Sequence, residues 1–186
     1  MVVKLGIIGL KEKTNGHPYS FSAIINGYNE KNFQKSNYKN ILNYLKLKKK
    51  KDFGINKVKI THAWTQNNKI TKNLCKSCNI QNELTDYRKM SSKVDGVIIA
   101  RDDLHFEIAK YFIKKKIPVF VDKPLTTNIK ELKYFKKYLK SGLIMSTSGL
   151  RFAKELLEVK SQISKLGKII CINATVASSL KNHGIH

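Results

Sequence analysis

Arginine is scarce in this chain. Of 36 basic residues, only Arg88, Arg101 and Arg151 are arginine. Bidentate recognition of phosphates and base edges favours arginine over lysine. The net charge of +23 is therefore read as a solvated lysine surface rather than a nucleic-acid footprint, and nucleic acid is not an expected partner. Lysine, asparagine and isoleucine are abundant together, a mix that AT-rich coding also produces. Cysteine is equally sparse. Cys75, Cys78 and Cys171 cannot build a disulfide framework. Cys75 and Cys78 have redox or zinc-ligand spacing, but no second such pair and no nearby histidine pair accompanies them, so they are read as structural helix positions. No apolar run approaches the about 20 residues that span a bilayer. The N-terminus enters a strand-like run directly, without a signal-peptide pattern. No membrane contact is expected, and the expected compartment is the cytoplasm.

What is present is a chain of 186 residues, 41% of them hydrophobic, enough to bury a core. Apolar β-branched runs alternate with amphipathic stretches, the signature of parallel strands joined by crossover helices. Strands are expected at Val2–Gly9, Val58–Thr65, Val94–Ala100, Pro118–Val121, Leu143–Thr147 and Lys168–Val176. Helices are expected at Pro18–Asn26, Thr71–Cys78, Leu104–Lys116, Asn128–Ser141 and Phe152–Leu166. Residues 30–52 read as a polar, lysine-rich insertion with one short helix. The fold class that follows is α/β, a doubly wound parallel sheet, in which ligands sit outside the carboxyl ends of the strands.

The informative residues are thus those at the strand ends. After the first strand, Gly9 and Leu10 open a loop that closes with Gly16, His17 and Pro18 at a helix start. A dinucleotide fingerprint needs three closely spaced glycines so that a pyrophosphate can approach the helix N-terminus. Only the first stands in place here. The loop reads equally as an anion cradle or as an ordinary strand–helix turn. After the second strand, Thr65, Gln66 and Asn67 could hydrogen-bond a ribose. Neither the acid usual for NAD nor the arginine often used for NADP follows. After the third strand come Ala100, Arg101, Asp102, Asp103 and His105. The fourth ends in Asp122, Lys123 and Pro124. A lysine beside a cofactor can exchange a proton with a substrate hydroxyl, and the neighbouring Asp122 could hold its ammonium.

These segments together resemble the N-terminal half of the Gfo/Idh/MocA oxidoreductases, relatives of glucose–fructose oxidoreductase and inositol dehydrogenase. The segment from Val94 to Ala109 is similar to the family's I-A-T-P-N-x-x-H region, with Arg101 at the family's Pro and His105 at its His. Asp122, Lys123 and Pro124 stand at the family's E-K-P. Asn182, His183, Gly184, Ile185 and His186 look like its D-x-G-x-H element. The resemblance implies a Rossmann domain over residues 1–122 that binds NAD or NADP. It also implies the start of an α/β substrate and oligomerisation domain over 123–186, cut short within a motif. Gly9, Leu10, Gly16, His17, Thr65, Ala100, Arg101, His105, Asp122 and Pro124 would then line the cofactor site, and Lys123 and His186 would be catalytic. No metal ligand set is expected. The implied reaction is hydride transfer at a hydroxyl or carbonyl of a sugar, polyol or nucleotide-linked sugar, in a protein that is a homo-oligomer at full length. On this reading the chain itself would be an inactive fragment of such an enzyme; the alternative is a non-catalytic dinucleotide- or metabolite-binding module.

Overall fold

The computed structural model describes residues 1–9, 15–173 and 175. Six strands form one sheet: β1 (Val3–Gly9), β2 (Val58–Thr65), β3 (Asn82–Glu83), β4 (Gly96–Ala100), β5 (Val119–Val121) and β6 (Ile144–Met145). Their order is β3-β2-β1-β4-β5-β6 and every pairing is parallel. The helices are α1 (His17–Asn26), α2 (Glu30–Phe33), α3 (Lys39–Lys46), α4 (Asn68–Ser77), α5 (His105–Lys114), α6 (Ile129–Lys140) and α7 (Lys154–Gln162). Successive strands are added outward in one direction from β1 to β3 and in the other from β4 to β6, which makes the carboxyl ends of β1 and β4 the switch point of a doubly wound fold.

Strand alternation divides the core in two. Ile7 packs with Tyr19 and Ala23 of α1 and Leu74 and Cys75 of α4. Its neighbour Ile8 packs on the opposite face with Ile108 and Phe112 of α5 and Phe135 of α6. β4 has buried residues on both faces, as expected of a central parallel strand. Helix starts follow local chemistry. The Asn67 side chain accepts from the Lys69 and Ile70 amides at the start of α4, and Asn128 accepts from Lys130 at the start of α6, the usual role of asparagine as an N-cap.

Three expectations change. Residues 30–52 form two helices rather than one, and Phe33, Leu42 and Leu45 enter the core beside α1. The two-residue strand β3 lies where no strand was expected, because its Asn and Glu carry no β-branched signal. The strand expected at Lys168–Val176 is absent among the described residues: positions 168–173 form no strand, and Ile170 and Ile172 are 95% and 78% exposed. A β-branched run needs a neighbouring strand to satisfy its backbone, and among the described residues none pairs with it. The sheet also runs past residue 122, since β6 pairs with β5 through Val119–Ile144 and Phe120–Met145.

Candidate functional site

The carboxyl ends of β1, β4 and β5 bring together residues from distant parts of the chain. Gly9 and Ala100 are paired neighbours on β1 and β4, and Asp122 follows β5, its amide donating to the Ile99 carbonyl at 2.9 Å. His17, at the start of α1, meets the buried Asp122 carboxylate through Nδ1 and Oδ2. The other carboxylate oxygen accepts from the Lys123 amide at 2.9 Å. Asp122 therefore orients the backbone of Lys123 and engages His17; no ion pair links it to the Lys123 ammonium. The expectation that Asp122 holds that ammonium gives way to this arrangement, in which its carboxylate meets the Lys123 amide and the His17 ring instead.

His105 ties two of these loops together. Its Nδ1 lies 2.9 Å from the Pro124 carbonyl oxygen, and its Nε2 faces the Arg101 carbonyl oxygen. It is buried and acts as a staple between the loops after β4 and β5. A cavity of about 310 Å³ beside it is lined by Asp102, His105, Phe106, Pro124, Thr126 and Glu131 among others.

The α1 end departs from a glycine cradle. A Cβ on Gly9 would lie 2.5 Å from Pro18 Cγ, and one on Gly16 would lie 2.3 Å from Ile41 Cδ1. Gly9 is thus required by close packing against a rigid ring, while at Gly16 the Ile41 tip and the Tyr38 ring, 2.6 Å from the same point, would have to shift. The amides of the first turn are also committed. His17 donates to Asn15 Oδ1 at 3.1 Å, Pro18 has no N–H, and Tyr19 donates to the Gly16 carbonyl at 2.9 Å. Leu10 lies outside the described residues, as do Asn182 and His186.

At the end of β2, Thr65 is buried and its hydroxyl donates to the Asn67 carbonyl at 2.8 Å; it shapes the turn into α4. Arg101 is the residue whose reach sequence reasoning missed. Although it follows β4, its side chain runs to the end of β2. There Nη2 donates to Gln66 Oε1 at 3.0 Å, Nε donates to Asp103 Oδ1 at 2.6 Å, and the guanidinium lies 5.6 Å from the Trp64 ring centre. Arg101 is fully buried and its Nη1 has no hydrogen-bond partner. A charge-bearing nitrogen buried without a partner is costly, so this atom fits a ligand acceptor. On the α1 face of the same strand end, a hollow of about 200 Å³ is lined by Lys35, Ser36, Tyr38, Asn67, Lys69 and Asn73 among others. The strand-end crevice and the orphaned guanidinium nitrogen both suit a dinucleotide. The first turn of α1 offers it no free amide.

The two cysteines do not form a site. Cys75 lies in the last turn of α4 and Cys78 caps it, both buried. Burial pushes the Cys75 thiol up to about 12 and raises Cys78 further. Among the described residues no cluster of His, Cys, Asp and Glu could hold a metal ion.

A parallel sheet with this strand order, with its candidate residues gathered at the switch point, defines a dinucleotide-binding α/β domain. Comparison narrows the class. The model of an oxidoreductase family with an NAD-binding Rossmann fold, GFO_IDH_MocA, matches residues 34–146, and the chain belongs to that family. Among solved structures, myo-inositol 2-dehydrogenase from Lactobacillus plantarum is similar at TM-score 0.63 and 20% identity, over 91% of this chain and 44% of its own. Scyllo-inositol dehydrogenase from Lactobacillus casei, solved with bound NAD(H) and scyllo-inositol, is similar at TM-score 0.64 and 16% identity, over 91% and 43%. An NAD binding oxidoreductase from Klebsiella pneumoniae is similar at 0.62 and 14%, over 89% and 39%. The chain thus spans less than half the length of these solved relatives. No curated protein matches its sequence. Among the described residues, no helix is long and apolar enough to cross a membrane.

Proposed function

We propose that this chain is the cofactor-binding half of an NAD(P)-dependent oxidoreductase acting on a hydroxyl or carbonyl of a sugar or polyol. The observation that supports it most is the placement of Lys123, held by Asp122 at the end of β5, beside the switch point between β1 and β4. In this reading Gly9, Ala100 and Pro124 line the cofactor crevice, while His17 and His105 position its walls. The nicotinamide, when bound, supplies the hydride chemistry. The chain's own residues supply orientation and proton movement. Lys123 Nζ accepts the proton of the substrate hydroxyl during oxidation and returns it during reduction. Its backbone is fixed from one side by the Asp122 carboxylate, and His105 holds the Pro124 carbonyl next to it. The solved relatives with inositol in their names motivate polyols as the first substrates to try.

We place the start of a second domain, for substrate and subunit contacts, after β6 rather than at residue 123, since β6 completes the first sheet. The roles given to Asn182 and His186 rest on the resemblance alone.

The test uses the product of the full gene. Turnover of a polyol panel with NAD+ and NADP+ is compared between the natural protein and Lys123→Ala. General acid–base groups contribute about 10²–10⁴-fold; a loss of that order in kcat with unchanged cofactor affinity is expected. An unchanged kcat would refute the role of Lys123. Cofactor binding without turnover of any panel member in the natural protein would favour a binding module instead.

A further inference from the structure

We infer that a second ligand site lies at the opposite end of the sheet and takes a flat aromatic acid, a single ring bearing one anionic group. The site is separate from the strand-end crevice and independent of the oxidoreductase reading. A cavity of about 480 Å³ opens there, where Asn26, Tyr28, Lys48, Lys50, Phe53 and Asn79 meet. Small-molecule sites are usually preformed clefts of about 300–1,000 Å³, and this one is held open by fixed parts. The Asn26 side chain donates to the Ile60 carbonyl at 2.8 Å and to the Cys78 carbonyl at 3.2 Å, and it accepts from the Ile60 amide at 2.9 Å. That ties the end of α1 to β2 and to the end of α4. The Gly54 amide donates to the Ile24 carbonyl at 2.8 Å, which fastens the loop before β2 to the same helix. Gly27 and Gly54, also in the lining, have positive φ of 76° and 90°, so both turns favour glycine.

One wall is aromatic. Tyr28 and Phe53 are half-buried, with ring centres 5.4 Å apart edge to face, and Tyr28 leans on the fully buried Phe33 at 6.1 Å. A ligand ring can join such a cluster in the offset or edge-to-face geometry that aromatic pairs prefer. The Tyr28 hydroxyl and the Asn79 side chain have no hydrogen-bond partner among the described residues. The rim is cationic. Lys48 and Lys50 belong to the lysine run 48–51 that closes the insertion, and neither forms an ion pair among the described residues. The Lys48 ammonium rests 4.6 Å over the Tyr44 ring, and Asp52, the acid after the run, accepts from the Lys49 amide at 2.9 Å. No acidic residue lines the cavity. The insertion over residues 30–52 thereby gains a role, since Phe33 props the aromatic wall and the lysine run supplies the charge. A neutral ring would leave the lysines unanswered, and a bare inorganic anion would leave the rings unused. An aromatic acid engages both.

The experiment titrates the isotope-labelled chain with benzoate, benzyl alcohol and acetate, and follows backbone amides by two-dimensional NMR. Benzoate at millimolar concentration is expected to shift the Gly27, Gly54 and Asn79 amides saturably and to leave Ala100 and Asp122 unmoved. Benzyl alcohol keeps the ring and acetate keeps the charge; each should bind more weakly than benzoate. Phe53→Leu, which keeps apolar bulk, should weaken benzoate about two- to tenfold. The surface pair Lys48→Gln and Lys50→Gln should weaken it by a similar about two- to tenfold, with the difference fading as salt rises. Benzoate that moves none of the three amides overturns the site. Shifts matched by acetate overturn the need for a ring, and shifts matched by benzyl alcohol overturn the need for an acid. A benzoate affinity unchanged in both variants overturns the assignment to these residues. Cofactor binding and turnover are separate readouts, so each of these failures leaves the oxidoreductase reading standing.

Discussion

Adding one methyl group at Gly9 should be expensive, and the structure says where the cost arises. A Cβ built there meets Pro18 Cγ at 2.5 Å and Pro18 Cβ at 2.8 Å, while the next neighbour, Thr65 Cγ2, is at a comfortable 3.7 Å. The pyrrolidine ring has no rotamer by which to move away, and Pro18 is buried at the first turn of α1. Gly9→Ala must therefore push α1 off the end of β1. Overpacking of this kind costs about 1–3 kcal/mol, which for a domain of this size lowers Tm by roughly 2–4 °C per kcal/mol. The backbone at Gly9 is not left-handed, so an alanine brings no dihedral penalty of its own. The clash with Pro18 is then the whole effect, and a double-mutant cycle isolates it. In a Pro18→Gly background, both offending atoms are gone, and Gly9→Ala should cost under about 0.5 kcal/mol by urea denaturation, the size of an ordinary benign substitution. A Gly9→Ala cost that persists in that background would refute the packing argument. It would point instead to a role for Gly9 toward residues 10–14.

Other consequences are open to direct measurement. Asp122→Ala leaves His17 and the Lys123 amide without their acceptor; a loss of about 1–3 kcal/mol is expected in denaturant unfolding, and an unchanged midpoint would show that the contact contributes nothing. Alkylation by iodoacetamide at pH 8, read by mass spectrometry, should label the exposed Cys171 and spare Cys75 and Cys78, whose thiols burial holds above that pH; fast labelling of the buried pair would revive a redox role. His62 has its pKa lowered from 6.5, first by burial and then by Lys93 and Lys4. The unfolded chain therefore binds a proton more readily than the folded one, and His62 costs stability as pH falls below about 6.5. His62→Gln should flatten that part of the stability–pH curve, and an unaltered slope would contradict the assignment.

Much of the fold could be read from local pattern. The runs around Ile7, Ile60 and Ile98 are dense in β-branched residues, and Asn128 and Gly27 mark helix ends, so those elements appear where their chemistry says; α4 starts at Asn68, three residues before its expected start, because Asn67 caps it. β3 could not be read, because Asn82 and Glu83 are strand residues only through pairing with His62 and Ala63. The run at 168–173 misled for the converse reason: it has strand composition and, among the described residues, no strand beside it. At the site, sequence order placed the right residues at the strand ends but could not give their partners. The contact of His17 with Asp122 joins positions 105 apart, and Arg101 reaches Gln66 across 35. Such pairings depend on which strands become neighbours, and no local signal encodes that. A basic residue at the end of one strand paired with an exposed amide at the end of another is a usable hint once the strand order 3-2-1-4 is assumed.

Binding of a dinucleotide across the carboxyl ends of β1, β4 and β5 is tested most directly by hydrogen–deuterium exchange with and without saturating NADPH. Protection is expected in the segments Ala100–His105 and Asp122–Thr126. A larger cavity of about 480 Å³ lies at the opposite end of the sheet, lined by Tyr28, Lys48, Phe53 and Gly54 among others. Protection there, with none at the strand ends, would contradict the account.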